Sequence, residues 1–230
     1  MIDGLFSDIS YIKTQILQVN FDPPRVGSDV YRMNYLAHLY LAEDSQESIF
    51  GSILGDFVKG AIGDRYPREV RQAIKLHRSI DVFTDSHSTT RASRNLYSPP
   101  LRRFAGIIVD LCYDHFLYRH WSAYSKEPPE RFISRVYDIL MTRSIAFPDR
   151  LAAMVPVMIK EDWLGSYQDL RGVEKAMNRL STRVTKGQLL PGAMGEIKIH
   201  YSSLEKNFLI FFPDLIYFVE KFKKSGNLPA

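Results

Sequence analysis

From Met33 onward the apolar residues of this chain recur at helical spacing, and prolines stand between the recurring blocks. MNYLAHLYLAE (33–43) gathers Tyr35, Leu36, Leu39 and Leu41, and ESIFGSILGDFVKGAI (47–62) gathers Ile49, Ile53, Leu54 and Phe57. A third block opens at Pro67, a residue suited to a first helical turn, and runs through REVRQAIKLHRSIDVFTD. The fourth, LRRFAGIIVDLCYDHFLYRHW, follows Pro99-Pro100 and is long. Further blocks follow Pro128-Pro129 (ERFISRVYDILMTRSI), Pro148 (DRLAAMVPVMIKEDWLGSY) and Ser166 (YQDLRGVEKAMNRLSTRV). The last spans 195–224, with a bend or break expected near Pro213. Strand-like alternation bounded by turn pairs is nearly absent, and no solenoid repeat is present. The expectation is an all-α fold: one domain of seven or eight helices over residues 33–230.

With 230 residues, 45% of them hydrophobic, the chain is long enough for one domain with a substantial core and too apolar to be disordered. Its single cysteine excludes an internally disulfide-stapled scaffold and favours a reducing compartment. No apolar run reaches the length of a membrane-spanning helix, and Asp3 and Asp8 interrupt any secretory signal, so a cytoplasmic location is expected. Residues 1–32 differ from the rest: a short helical stretch (5–19) precedes the breaker-rich FDPPRVGSD. They read either as a loosely attached extension or as a start assigned too early, and are expected to be dispensable. A net charge of +4 and a pI near 9.0 permit an acidic protein, a phosphate ester or nucleic acid as partner without selecting one.

The chemistry lies where acids break the hydrophobic pattern. Asp110 and Asp114 in GIIVDLCYDHFL are four residues apart, hence on one helix face, and two carboxylates that close repel unless a positive centre lies between them. In AIKLHRSIDVFTD, His77, Asp81 and Asp85 likewise share a face; imidazole with carboxylate one turn apart suits a transition metal. Asp85 falls where the helix should end and reads as a capping or supporting residue. Asp56 lies in SILGDFVKG between Gly55 and Gly60, and Asn34 and His38 are again four apart. Each alone has a structural reading, as a surface pair, a cap or a buried histidine. Four consecutive helices repeating the device point to a site built from inward-facing side chains of a bundle.

Other features carry less. His115 reads as a ligand or as a general acid beside Asp114, His120 as a cap near Trp121, His87 as a loop residue, and Cys112 as core. A nucleophile elbow, a phosphate-binding loop, a dinucleotide fingerprint, an H-E-x-x-H zinc helix and the Glu-x-x-His pair of di-iron bundles are all missing from the sequence.

MNYLAHLYLA, GSILGDFVKG, HRSIDVFTD and DLCYDHFLYRHW, in that order, resemble the acyl carrier protein phosphodiesterases. The similarity continues more faintly through EDWLGSYQDLRGVEKAMNRLSTR and FFPDL, covering about residues 33–220. The resemblance implies an HD-domain-like helical fold, a Mn²⁺ cofactor, and an acidic protein substrate, holo-acyl carrier protein. It further implies hydrolysis of the phosphodiester joining 4′-phosphopantetheine to the carrier's serine. The chain departs from the HD pattern in lacking an adjacent His-Asp dipeptide; Asp114-His115 and the split His77/Asp81 stand instead.

On this reading His38, Asp56, His77, Asp81 and Asp114 are the expected metal ligands, with Asp110 a ligand or base. Either Asp56 or Asp110 orients the attacking water. Lys59 and Arg78 are placed to neutralise phosphate charge, while Arg102 and Arg103, with Arg91 and Arg94, form a basic rim for the carrier protein. Two rivals remain open: an HD-type hydrolase of a small phosphoester or nucleotide, and a non-enzymatic helical binding protein whose buried acids are structural.

Overall fold

The computed structural model describes residues 35–142, 147–182, 184 and 186–225; the expected extension at 1–32 lies outside them, as does Asn34. Among the described residues there are ten α-helices and no strand. The first four are α1 (Tyr35–Leu41), α2 (Gln46–Leu54), α3 (Arg68–Ser86) and α4 (Ser88–Asn95). α5 (Pro99–Arg102), α6 (Ala105–Arg119) and α7 (Pro129–Thr142) follow. The last three are α8 (Asp149–Lys160), α9 (Leu170–Ser181) and α10 (Ala193–Ser225). Three 3₁₀ segments, Trp121–Ala123, Gly165–Gln168 and Gly187–Gly192, join them.

α6 is the axis of the molecule. Its apolar residues lie on all sides, and Ile107 through Leu117 are all buried, which is the signature of a helix enclosed by others. α1, α4, α9, α10 and the Gly165–Gln168 segment surround it. Trp163, Tyr167, Phe116, Phe208 and Phe212 fill the space between them and are almost fully buried. Cys112 belongs to this core; burial pushes its thiol up to about 12, so it has no thiolate chemistry near neutrality.

α2 and α3 form the closest helix pair, because glycine replaces a side chain at their contact. A methyl group at Gly51 would come within 2.6 Å of the Val70 carbonyl oxygen. α2 begins at a conventional cap, with the Ser48 amide donating to Ser45 Oγ at 3.1 Å. α1 is capped from elsewhere in the fold: the Leu36 and Ala37 amides donate to the two carboxylate oxygens of Asp114 on α6, at 3.0 and 2.9 Å.

Boundaries differ from the sequence expectation of seven or eight helices in several places; α2, for one, stops at Leu54 rather than running to residue 62. The long fourth block divides at Phe104, whose ring enters the core and whose backbone (φ −105°, ψ 0°) leaves the regular helix between α5 and α6. α4 was not anticipated, since STTRASRN has no apolar stripe and buries only Thr90 and Ser93. Of the bend or break expected near Pro213, a break is excluded, since α10 passes through it as one helix of 33 residues. Proline removes one backbone hydrogen bond there, while Phe208, Phe211, Phe212, Leu215, Val219 and Phe222 bury a continuous stripe on both sides of it.

Candidate metal centre

The candidate cluster forms where α1, α2 and α3 meet. His38 comes from α1, Asp56 from the turn just after α2, and His77 and Asp81 from adjacent turns of α3. The rings of His38 and His77 stack with centroids 3.9 Å apart and planes inclined by 19°. His38 Nε2 stands 3.3 Å from Asp81 Oδ1, and His77 Nε2 stands 3.6 Å from Asp81 Oδ2 and 3.5 Å from Asp56 Oδ1. Ligand atoms of His38, His77 and Asp81 all lie within 4.8 Å of one another.

This arrangement fits a divalent cation on two grounds. Both nitrogens of His38 and Nε2 of His77 are buried without a hydrogen-bond partner among the described residues, an expensive condition unless something else satisfies them. Donors sharing one ion at about 2.1 Å stand roughly 3–3.5 Å apart, close to the spacings here. The tautomer is also set. His77 Nδ1 lies 2.7 Å from the Ser52 carbonyl oxygen, to which it can only donate, so in the neutral ring Nε2 carries the lone pair and faces Asp56 and Asp81. Ser52 Oγ in turn donates to the His38 carbonyl oxygen at 2.9 Å, tying α2 to α1 directly behind the site.

Electrostatics separate the two imidazoles. Burial lowers the His38 pKa and the neighbouring His77 lowers it further, keeping the ring neutral and able to act as a ligand. At His77 burial also acts downward, but the carboxylates of Asp81 and Asp56 outweigh it and raise the pKa. The cluster thus concentrates negative charge around nitrogen lone pairs, the environment of a cation.

The remaining expected residues are placed as follows. Asp114 is fully buried one helix away, and both of its oxygens receive α1 amides; burial pushes its pKa well up against the pull of the Ala37 and Leu36 N–H groups. Like Asp56, it is outside the trio His38, His77 and Asp81 whose ligand atoms converge. Asp110 is buried one turn earlier on α6. Lys59 is exposed, whereas the half-buried Arg78 donates to the Gly60 and Val58 carbonyl oxygens and braces the turn that follows Asp56. Arg102 and Arg103 are exposed at the α5–α6 junction, the former donating to the Tyr97 carbonyl oxygen and the latter lying over the Phe104 ring.

The other histidines have structural partners. His115 contacts the Tyr167 carbonyl oxygen (2.8 Å) and the Tyr201 hydroxyl (2.8 Å), which occupies both ring nitrogens and removes it from ligand duty. His120 pairs with Glu205 at 2.8 Å, and His87 caps α4 while facing Asp214 at 3.2 Å. Asp85 pairs with Arg94, a supporting contact at the end of α3. Ser52 and Gly55 also shape the site, and of the two only Gly55 stood out in the sequence. A serine inside an apolar helix carries no signal of the imidazole it orients, and Gly55 attracted notice only as a small residue.

A single all-α domain whose helices converge two imidazoles and two carboxylates is a helical protein with a candidate transition-metal centre. Comparison with known proteins makes the class specific: residues 33–215 match the family model described as acyl carrier protein phosphodiesterase, and the chain belongs to that family. It is 34% identical over 185 residues to the acyl carrier protein phosphodiesterase of Salmonella paratyphi A (strain ATCC 9150 / SARB42). That match covers 80% of this chain and 96% of the relative. The corresponding protein of Escherichia coli O157:H7 is similar to the same degree over the same shares. No solved structure matches this chain.

Proposed function

We propose that this protein hydrolyses the phosphodiester between 4′-phosphopantetheine and the serine of holo-acyl carrier protein. Water adds to phosphorus, the P–O bond to serine breaks, the serine oxygen takes up a proton, and 4′-phosphopantetheine leaves with the phosphate. The product, apo-carrier protein, belongs to prosthetic-group turnover in fatty acid biosynthesis. The observation that carries this reading is the convergence of His38, His77 and Asp81, with Asp56 alongside, inside the stretch matched by the family.

These four residues would hold the divalent ion, for which Mn²⁺ is the proposed occupant. Such an ion supplies Lewis acidity toward the phosphoryl oxygen and toward a water molecule. Asp56, buried beside His77 Nε2, is the proposed base that orients the water, and Asp110 the alternative. Lys59 and Arg78 would offset phosphate charge. Asp114 serves the site by fixing the start of α1, and so the position of His38. The activity is placed in residues 33–230, in a cytoplasmic protein; among the described residues no helix is long and apolar enough to cross a membrane.

The test is product analysis by mass spectrometry. Holo-carrier protein incubated with Mn²⁺-loaded protein should lose one 4′-phosphopantetheine per chain, and a chelator should stop the loss. A chain starting at Met33 should behave alike. Release of phosphate from nucleotides with an intact holo-carrier protein would favour hydrolysis of small phosphoesters instead.

A further inference from the structure

α3 carries a second feature beside the candidate centre. Arg68, Arg71, Lys75 and Arg78 line a groove of about 700 Å³ against the turn at Ile62–Asp64. The one acid in its wall, Asp64, is already paired with Arg71. Arg71, Lys75 and Arg78 recur at helical spacing, and Asp81 of the candidate centre follows one turn after Arg78. Arg78 also holds the Val58 and Gly60 carbonyl oxygens, so the groove wall and the turn that follows Asp56 share one residue. The cations therefore form a track that ends at the cluster. In a chain whose net charge is only +4, this is a local concentration of charge.

The chemistry of the proposed reaction says what must lie there. The scissile phosphate is attached directly to a serine side chain of the protein substrate, and the pantetheine arm extends from its far side. The arm gives no reach: the carrier's own surface must come against the rim of the metal centre. We infer that the α3 groove is the docking surface for the acidic carrier protein, a conclusion that rests on the reaction proposed above. Its cations meet carboxylates around the modified serine and hold the phosphodiester at His38, His77 and Asp81. Arg102 and Arg103, the basic rim expected from the sequence, are absent from the groove lining. Long-range attraction by such a surface speeds encounter and weakens with salt.

The experiment compares the exposed pair Arg68→Glu/Lys75→Glu with Lys175→Glu/Lys198→Glu, exposed cations outside the groove, after circular dichroism confirms the fold. Fluorescence anisotropy gives the Kd for apo-carrier protein, and release of 4′-phosphopantetheine gives KM and kcat for the holo form. The groove variant should bind apo-carrier protein at least tenfold more weakly, with the loss in turnover falling on KM and a flatter dependence of kcat/KM on salt. The Lys175/Lys198 variant should stay within twofold of wild type. If charge reversal in the groove disturbs folding, Arg68→Gln/Lys75→Gln should still weaken binding several-fold. Wild-type Kd and KM in the groove variants, or equal losses in both pairs, would overturn the inference. Groove-dependent binding without cleavage would sink the proposed reaction and leave the docking surface standing; cleavage indifferent to the groove would do the reverse.

Discussion

Gly55 and His77 occupy the same space: a methyl group at position 55 would come within 2.7 Å of the His77 Cβ and closer still to its ring carbons. The imidazole lies in the α2–α3 interface because residue 55 has no side chain. Its neighbours cannot yield easily, since Nδ1 is held by the Ser52 carbonyl oxygen and the other ring face lies on His38. Gly55→Ala should therefore cost about 1–3 kcal/mol as overpacking and also weaken Mn²⁺ binding. Gly51→Ala overlaps Ala73 and Val70 instead, so it should destabilise without a comparable loss of metal affinity. Thermal denaturation and calorimetric Mn²⁺ titration of both variants check the contrast; equal metal affinity in Gly55→Ala and wild type would refute it.

Asp81 faces both imidazoles and is partly open to solvent, so its conversion to asparagine removes a charge beside both rings at little cost in packing. Mn²⁺ at a hundredfold excess over its Kd should stabilise the wild-type fold by about 2.7 kcal/mol through binding alone. Asp81→Asn should lose most of that increment and at least about tenfold in affinity, with unchanged helical content. Denaturant titrations with and without Mn²⁺ measure it, and an identical Mn²⁺ increment in the variant would remove Asp81 from the ligand set.

Asp114 acts on the fold before it acts on chemistry. Alanine there leaves two buried amides of α1 without acceptors, at a cost of about 2–4 kcal/mol. Asparagine keeps one acceptor oxygen and should lose about half as much. If Asp114→Ala kept wild-type stability in urea but lost metal binding, the residue would be a ligand and its capping of α1 incidental.

Glu196 accepts from the Ser98 amide (2.8 Å) and hydroxyl (2.5 Å) at the start of α5, and these bonds hold its pKa below the ordinary 4.5. A carboxylate with a depressed folded pKa contributes stability above its unfolded value, and that contribution disappears as pH falls through the folded one. Glu196→Gln should thus be less stable than wild type at pH 7, by under about 1 kcal/mol for so accessible a contact. The difference should vanish in acid below the pH where Glu196 is protonated. A gap that persists unchanged after Glu196 is protonated would assign the effect to packing.

Much of this protein was legible along the chain. The spacing of Leu36, Leu39 and Leu41, the prolines at block boundaries and the missing alternation determined an all-α fold, because helical burial depends on a local period that a sequence displays directly. The i, i+4 relation of His77 and Asp81 was likewise local, since one helix turn fixes it. Helix α4 stayed hidden because a short polar segment held by His87 and by packing has no period to read. Which acids meet was a different kind of question. Asp110 and Asp114 share a helix face just as His77 and Asp81 do, and only the approach of α1 to α6 sets the Leu36 and Ala37 amides against Asp114. The stacking of His38 on His77, the carbonyl of Ser52 behind it and the space left by Gly55 join residues on three helices. Helical period fixes which side of its own helix a residue faces; which partner stands opposite depends on how the helices pack, and that was decided by the tertiary structure alone.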